Sequence, residues 1–326
     1  MVTIKDVAKR AGVGIATISR VINNTGSVKP ATKVRVQKII DEMGYQPNDI
    51  ARQMLKQKSN IVAFVQPNNT HFFFSELLYE IEKLLYEDNV KVMVCNSSEE
   101  LEKEIEFINM LQLNRVDALI LLTNNEIQDK VKPGMPIVSF DRRFDGIPFV
   151  ASDNYSGGIM AADELYKNGC RNMLFIGDDA QGEHSNIQTE VSKRRIGFVD
   201  RCKELRVNEV LTYEYPLGDY LISPNRVKQI IKDNPQTDGI FAISDAVALA
   251  VIKELEKNGK KVPEDVKVIG FDGGRSFLNL GKRISSIGQS PKLIGKAIRD
   301  AVIKQINNQK VNDIILPVYF SKGETV

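Results

Sequence analysis

Thiols, imidazoles and long apolar runs are all scarce in this 326-residue chain, and each shortage removes a class of function. The three cysteines, Cys95, Cys170 and Cys202, are odd in number, far apart and without a CxxC pair. They indicate neither a disulfide frame nor a zinc site and are expected to be buried thiols. His71 and His184 each stand without a second histidine at helical spacing, so no metal pair is expected. No window approaches the ~18 uninterrupted apolar residues of a membrane span, and Met1–Asp6 contains no apolar segment of signal-peptide type. A cytoplasmic protein with no membrane partner is therefore expected. No G-x-G-x-x-G follows a strand pattern, and neither a phosphate-binding G-x-x-x-x-G-K-[ST] nor a G-x-S-x-G elbow occurs. Nucleotide chemistry, a catalytic serine and a bound cofactor are not indicated.

What is present is a soluble-protein composition, 42% apolar and 26% charged, in a chain long enough for two or three domains. The net charge of +2 is unevenly spread: residues 1–60 carry +7 and the remainder −5. A basic head on a mildly acidic body points to a polyanionic partner for the head alone.

The head reads as short helices. Ile4, Val7, Ala8 and Ala11 share one face of a first helix, and Ile18, Val21 and Ile22 share one face of a second, with Gly12 at the bend. Thr3 with Asp6 forms a capping-box pattern that puts Thr3 at the N-cap, and Gly14 stands at the weaker N-cap of the second helix. A third helix starts at Pro30, carries Val36, Ile39, Ile40 and Met43 as its stripe and ends at Gly44. The second helix turns Ile15, Ala16, Thr17, Ser19, Arg20 and Asn23 outward, a set of small, hydroxyl and guanidinium groups that suits the major groove of DNA. Tyr45–Ser59 follows as a polar, weakly amphipathic linker able to become helical when held.

From Asn60 the pattern changes to buried strands alternating with amphipathic helices. Strands are expected at Ile61–Gln66, Val90–Cys95, Val116–Thr123, Ile137–Asp141 and Phe149–Ser152, with helices Ser75–Asp88 and Glu99–Leu113. After Asp153 come helix Tyr155–Asn168, strand Met173–Gly177, helix Ser192–Leu205, strand Val210–Tyr215, helix Asn225–Asn234, strand Gly239–Ser244, helix Ala246–Asn258 and strand Val266–Phe271. Such βα repeats make an α/β fold with two doubly wound parallel sheets. Ligands in these sheets sit at the carboxyl ends of strands. Asp141-Arg142-Arg143, Ser244-Asp245 and Phe271-Asp272-Gly273-Gly274 all fall there and together imply a polar pocket between two lobes.

In the head, Thr3-Ile4-x-Asp6-Val7-Ala8-x-x-Ala11-Gly12-Val13 with Thr17-x-Ser19-Arg20-Val21-x-Asn23, and then Gly44-Tyr45-x-Pro47-Asn48-x-x-Ala51-Arg52, resemble the lactose/galactose-repressor family of transcription regulators. Phe140-Asp141-Arg142, Ser152-Asp153-Asn154-Tyr155-x-Gly157-Gly158, Ile269-Gly270-Phe271-Asp272 and Leu316-Pro317-Val318 extend the resemblance through the body. Ser152-Asp153-Asn154 and Asn168-Gly169-Cys170 are similar to sucrose-operon-type repressors. The resemblance implies a helix-turn-helix headpiece over residues 1–46, a hinge helix over 47–59 and a periplasmic-binding-protein-like core over 60–326. Within that core it implies one subdomain of about 60–152 with 290–316 and another of about 153–289 with 317–326, the chain crossing three times between them.

Carried over by position, Ile15, Ala16 and Arg20 read operator bases, with Thr17, Ser19, Asn23 and the helix-starting Thr3 beside them. Met54 stands where the hinge inserts an apolar wedge into the minor groove, and Asn48 and Ala51 fit the hinge pattern. Asp141, Arg142, Arg194, Ser244, Asp272 and Gln289 stand at effector-contacting positions, and Phe73 and Tyr220 at aromatic ones. Carboxylates, guanidinium groups and an amide around a stacking ring suit a sugar or sugar phosphate. Ser244 replaces the family's usual asparagine, and His71-Phe72 replaces its Asn-Pro. The implied protein is a homodimeric, ligand-responsive repressor of a sugar-utilisation operon acting on a pseudo-palindromic operator. A global carbon-catabolite regulator controlled by a phosphorylated carrier protein is the alternative within that class. A sugar-binding protein or enzyme on the same core is the alternative outside it, but the former does not need the basic head and the latter needs a catalytic constellation that the chain does not offer.

Overall fold

The computed structural model describes residues 2–45, 58–68, 71–178, 189–215, 223–273 and 283–326. The chain divides into two compact units, residues 1–59 and 60–326. Residue 46 and most of the expected hinge over 47–59, with Asn48, Ala51 and Met54, lie outside the described residues, as do His184, Tyr220 and Gly274.

Among its described residues the first unit holds three helices, α1 (Ile4–Ala11), α2 (Ile15–Asn23) and α3 (Pro30–Met43). The capping box forms as the sequence implies. Thr3 donates its hydroxyl and its backbone N–H to Asp6 Oδ2 at 2.6 and 2.9 Å, and the Asp6 N–H donates back to Thr3 Oγ1 at 3.4 Å. These bonds, the hydroxyl bond first, hold the Asp6 carboxyl below its ordinary range. Gly12, at φ +62°, supplies the left-handed bend between α1 and α2. Gly14 caps α2 with no side-chain bond, and Pro30 opens α3. The apolar stripes meet in one small core of Val7, Ala8, Ala11, Ile18, Val21, Val36 and Ile40.

Among its described residues the second unit contains two six-stranded sheets. The first is ordered β11-β5-β4-β3-β1-β2, from β1 (Ile61–Gln66), β2 (Lys91–Asn96), β3 (Ala118–Leu121), β4 (Ile137–Phe140), β5 (Phe149–Ser152) and β11 (Ile314–Leu316). The second is ordered β12-β10-β9-β8-β6-β7, from β6 (Asn172–Asp178), β7 (Glu209–Tyr215), β8 (Gly239–Ala242), β9 (Lys267–Asp272), β10 (Ser285–Gly288) and β12 (Tyr319–Ser321). All pairings are parallel except β10 with β12. Central strands such as β3, β4, β5 and β8 are buried throughout, which is why they read as unbroken apolar runs.

Helices α4 (Phe72–Glu87) and α5 (Leu101–Gln112) serve the first lobe. Helices α6 (Asn154–Lys167), α7 (Lys193–Glu204), α8 (Pro224–Asp233) and α9 (Asp245–Lys257) serve the second. Helix α4 begins three residues before the sequence suggested, because His71 takes the N-cap and Phe73 and Phe74 are buried as its first turn. Strands β10, β11 and β12 and helix α10 (Pro291–Ile306) were not anticipated by the βα reading, which stopped at Phe271. Helix α10 buries Ile294, Ile298, Ala301 and Val302 against Leu77, Ile81 and Leu85 of α4 and completes the first lobe's core. At about 1.5–3 kcal/mol per fully buried aliphatic side chain, that seam is a principal support of the lobe. Three passages join the lobes among the described residues: β5 into α6, β10 into α10, and β11 into β12.

Candidate functional site

In the first unit α2 is the outward-reading element. Ile18 and Val21 anchor it, so by helical spacing Ile15, Ala16, Arg20 and Asn23 are exposed while Thr17 and Ser19 are half-buried. Ile15 is 44% exposed, so its side chain is free to meet a partner. Asn23 Nδ2 donates to Ser19 Oγ at 3.2 Å, and the Arg20 stem lies against Gly26, where an added Cβ would sit 3.4 Å from its Cδ. Thr3 is engaged in the capping box and orients the start of α1.

In the second unit the strand ends of both sheets converge on one cavity. Asp141 stands just beyond β4 and Asp272 ends β9, so each lobe contributes one carboxyl group. Both residues have left-handed backbone, φ +56° and +104°, a conformation that costs energy outside glycine and clusters at functional sites. Burial pushes the Asp141 carboxyl up to about 7 against the pull of Arg194. Burial raises Asp272 as well, with Arg194, His71 and the Gln289 hydrogen bond opposing.

The polar groups of the cavity are linked across the lobes. Ser152, ending β5, donates to Gln289 Oε1 at 2.6 Å, and Gln289 Nε2 donates to Asp272 Oδ1 at 2.8 Å. Arg194 projects from α7, with Nε donating to Asn154 Oδ1 and Nη1 to the Ile243 carbonyl, each at 2.7 Å. Its guanidinium lies 3.5 Å from the Phe271 ring centroid and 3.8 Å from Asp272 Oδ1. His71 Nε2 is 3.8 Å from Asp272 Oδ2, and burial lowers the histidine's pKa despite that neighbour. Ser244 caps α9 through the Val247 N–H at 3.3 Å and also lines the cavity. Phe73 stacks on Phe140 at 6.2 Å and supplies an apolar wall.

Asp141, Arg194, Ser244, Asp272, Gln289 and Phe73 are thus brought together in one cavity. Arg142 is not among its lining residues: its guanidinium turns into the first lobe, donates to the Thr123 and Asn125 carbonyls and lies over Phe144. His71, Phe74, Thr123, Asn124, Thr189, Val191 and Tyr215 line the cavity without having been singled out as ligand positions. Thr123, at the end of an apolar strand, carried a usable signal; Thr189 and Val191 carried none. The three cysteines are buried and unpaired, and burial pushes the Cys170 and Cys202 thiols up to about 12. Among the described residues no helix is long and apolar enough to cross a membrane.

Residues 3–48 match the family described as bacterial regulatory proteins, lacI family, and residues 59–324 match that described as periplasmic binding proteins and sugar binding domain of LacI family. The sucrose operon repressor of Streptococcus mutans serotype c is 34% identical over 325 residues, covering 98% of each chain. The ribose operon repressor of Halalkalibacterium halodurans is 31% identical over 315 residues, covering 96% of this chain and 92% of that one. Among solved structures, the lac repressor dimer bound to operator and the anti-inducer ONPF matches with a TM-score of 0.84 at 19% identity, covering 99% of this chain and 98% of that one. That likeness establishes the fold.

Proposed function

Since this chain belongs to the LacI family of bacterial regulatory proteins, we propose that it represses a sugar-utilisation operon and that an unphosphorylated sugar held between the lobes of residues 60–326 alters its grip on the operator. The DNA partner is a pseudo-palindromic duplex bound by a homodimer, with Arg20 as the hydrogen-bonding reader and Ile15 and Ala16 as apolar ones. Asn48, Ala51 and Met54 complete the DNA-contacting set at the hinge. The protein acts in the cytoplasm, where its DNA is.

The observation that carries the effector reading is the convergence of one strand-end carboxyl group from each lobe, Asp141 and Asp272, on a single cavity. A ligand bonded to both biases the relation between the lobes, and differential affinity for lobe arrangements is what a conformational switch requires. Sugar hydroxyls both donate and accept, so they suit carboxylates together with the Gln289 amide and Ser244, while Phe73 and Phe140 suit the C–H face of a sugar ring. The charge balance favours a neutral ligand. Among the described lining residues the cations are Arg194, already engaged by Asn154, Ile243 and Asp272, and His71, held toward its neutral form by burial. A phosphate ester would face two carboxyl groups.

The test is a thermal-shift series on the full-length protein with D-ribose, sucrose and their phosphate esters, followed by operator titration with any sugar that binds. A ligand at ~100 times its Kd stabilises by about 2.7 kcal/mol, which such a scan detects. An unphosphorylated sugar should raise the melting temperature and change operator affinity. Stabilisation by the esters alone would overturn the neutral-ligand reading.

A further inference from the structure

We infer that Glu104 and Arg142, neither of which lines the cavity, are positioning residues for the effector site, gripping Thr123 from opposite ends and thereby fixing the wall Leu122–Asn124. The consequence for affinity rests on the effector reading above; the grip itself does not.

The wall leaves the sheet after β3, and Leu122, Thr123 and Asn124 all line the cavity. One main-chain bond, from the Leu122 N–H to the Val65 carbonyl at 2.9 Å, ties its start to β1. The side chain and carbonyl of Thr123 are held from elsewhere. Its hydroxyl donates to Glu104 Oε2 on α5 and accepts the Asn125 N–H at 2.9 Å. Its carbonyl accepts from Arg142 Nη1 at 3.2 Å, and the same nitrogen donates to the Asn125 carbonyl at 2.6 Å. Thr123 therefore sits between a carboxylate on one side and a guanidinium on the other. With its hydroxyl donating to Glu104 on α5 and accepting from Asn125, the side chain of Thr123 is fixed in place.

Two features mark the pair as something other than stabilising packing. Glu104 is 0% exposed and Arg142 2% exposed, so both charges are almost wholly removed from water. Yet they form no ion pair with each other: each spends its bonds on the wall, and Glu104 Oε1 and Arg142 Nη2 have no hydrogen-bond partner among the described residues. Buried charges that are incompletely satisfied are poor contributors to stability and are best understood through what they orient. Burial pushes the Arg142 guanidinium down to about 10, with Glu104 opposing that shift across the wall. Phe144, beneath the Arg142 guanidinium at 4.7 Å, fixes its direction away from the cavity.

The test compares Thr123→Val, Thr123→Ser, Glu104→Gln and the Thr123→Val/Glu104→Gln double variant in the full-length protein. Amide hydrogen exchange is read first, without sugar. Thr123→Val, which keeps the shape and removes the hydroxyl, should speed exchange at Leu122–Asn125 at least tenfold and leave β8 and β9 unchanged. Thr123→Ser should keep the wild-type rate, and the double variant should be no faster than Thr123→Val. D-ribose titration by calorimetry is read second, with at least tenfold weaker binding expected for Thr123→Val and near-normal binding for Thr123→Ser. Unchanged exchange in a folded Thr123→Val protein overturns the grip. Faster wall exchange with undiminished ribose affinity overturns its role at the site. Failure of the wild type to bind any sugar of the thermal-shift series removes the effector reading, and the positioning role with it, while the exchange result still decides the grip.

Discussion

Gly158 of α6 passes so close to Arg194 of α7 that a Cβ on the glycine would lie 2.1 Å from the arginine carbonyl oxygen. The crossing is reciprocal, since a Cβ on Gly197 would lie 2.1 Å from the Tyr155 carbonyl oxygen. This approach lets Arg194 reach Asn154 at 2.7 Å and turn its guanidinium toward the cavity. The glycines are there for proximity.

Gly158→Ala should therefore damage the site from a distance. Overpacking of this kind costs about 1–3 kcal/mol, or roughly 2–4 °C per kcal/mol in a unit of this size. Chemical denaturation should show the loss, and the sugar-induced thermal shift should shrink with it because Arg194 is displaced. A variant with wild-type stability and response would show that the helices part without consequence.

The raised Asp141 value makes the second unit's stability depend on pH in a known direction. The folded carboxyl titrates near 7 and the unfolded one near 3.8, so between those values the folded state holds a proton that the unfolded chain has lost. The associated stability is complete below about pH 4 and is lost as pH rises through about 7, up to roughly 4 kcal/mol at 1.36 kcal/mol per unit. His71 works the other way, because its lowered value makes stability rise with pH up to its unfolded value of about 6.5. Denaturant melts of wild type and Asp141→Asn at pH 4.5, 6 and 7.5 separate the two. The variant should gain on wild type as pH rises, and parallel curves would contradict the burial of a titrating carboxyl at this position.

Asp272→Ala should abolish the response to sugar while leaving operator affinity in the absence of sugar unchanged, since its partners Gln289, Arg194 and His71 all belong to the second unit. Fluorescence-anisotropy titration of operator with and without sugar reads both quantities. An intact response would remove Asp272 from the effector set.

Arg20→Ala should cost about 1–3 kcal/mol on the operator and relax selectivity at one base position, as expected for loss of a bidentate guanine contact. Gel-shift competition against a scrambled duplex is the check. Equal losses on both duplexes would reassign Arg20 to phosphate contact.

The head was legible almost residue by residue, because caps and glycine bends are local chemistry: Thr3 with Asp6, Gly12, Pro30 and Gly44 all act where they stand in the sequence. The first nine strands were also legible as apolar runs, the central ones buried throughout and the edge strands β2 and β7 only in part. Helix α10 had a readable stripe in Ile294, Ile298, Ala301 and Val302, but the simple βα alternation gave no reason to look for it. The direction of Arg142 was not legible. Consecutive residues leave a strand on opposite faces, and adjacency to Asp141 says nothing about which one meets the ligand. Thr189 and Val191 reach the cavity through an isolated bridge between Thr189 and Arg142, a long-range pairing with no local periodicity to announce it.

The three passages between the lobes also bear on how the molecule is made. Strand β11 and helix α10 belong to the first lobe, yet they follow the whole series of βα units of the second. During synthesis from the N-terminus, the first sheet must wait with an unpaired edge beside β5 and with the apolar face of α4 uncovered until residues 291–316 emerge. Neither lobe is a continuous piece of chain. The headpiece can fold early, but the effector site exists only once nearly all of the chain has left the ribosome.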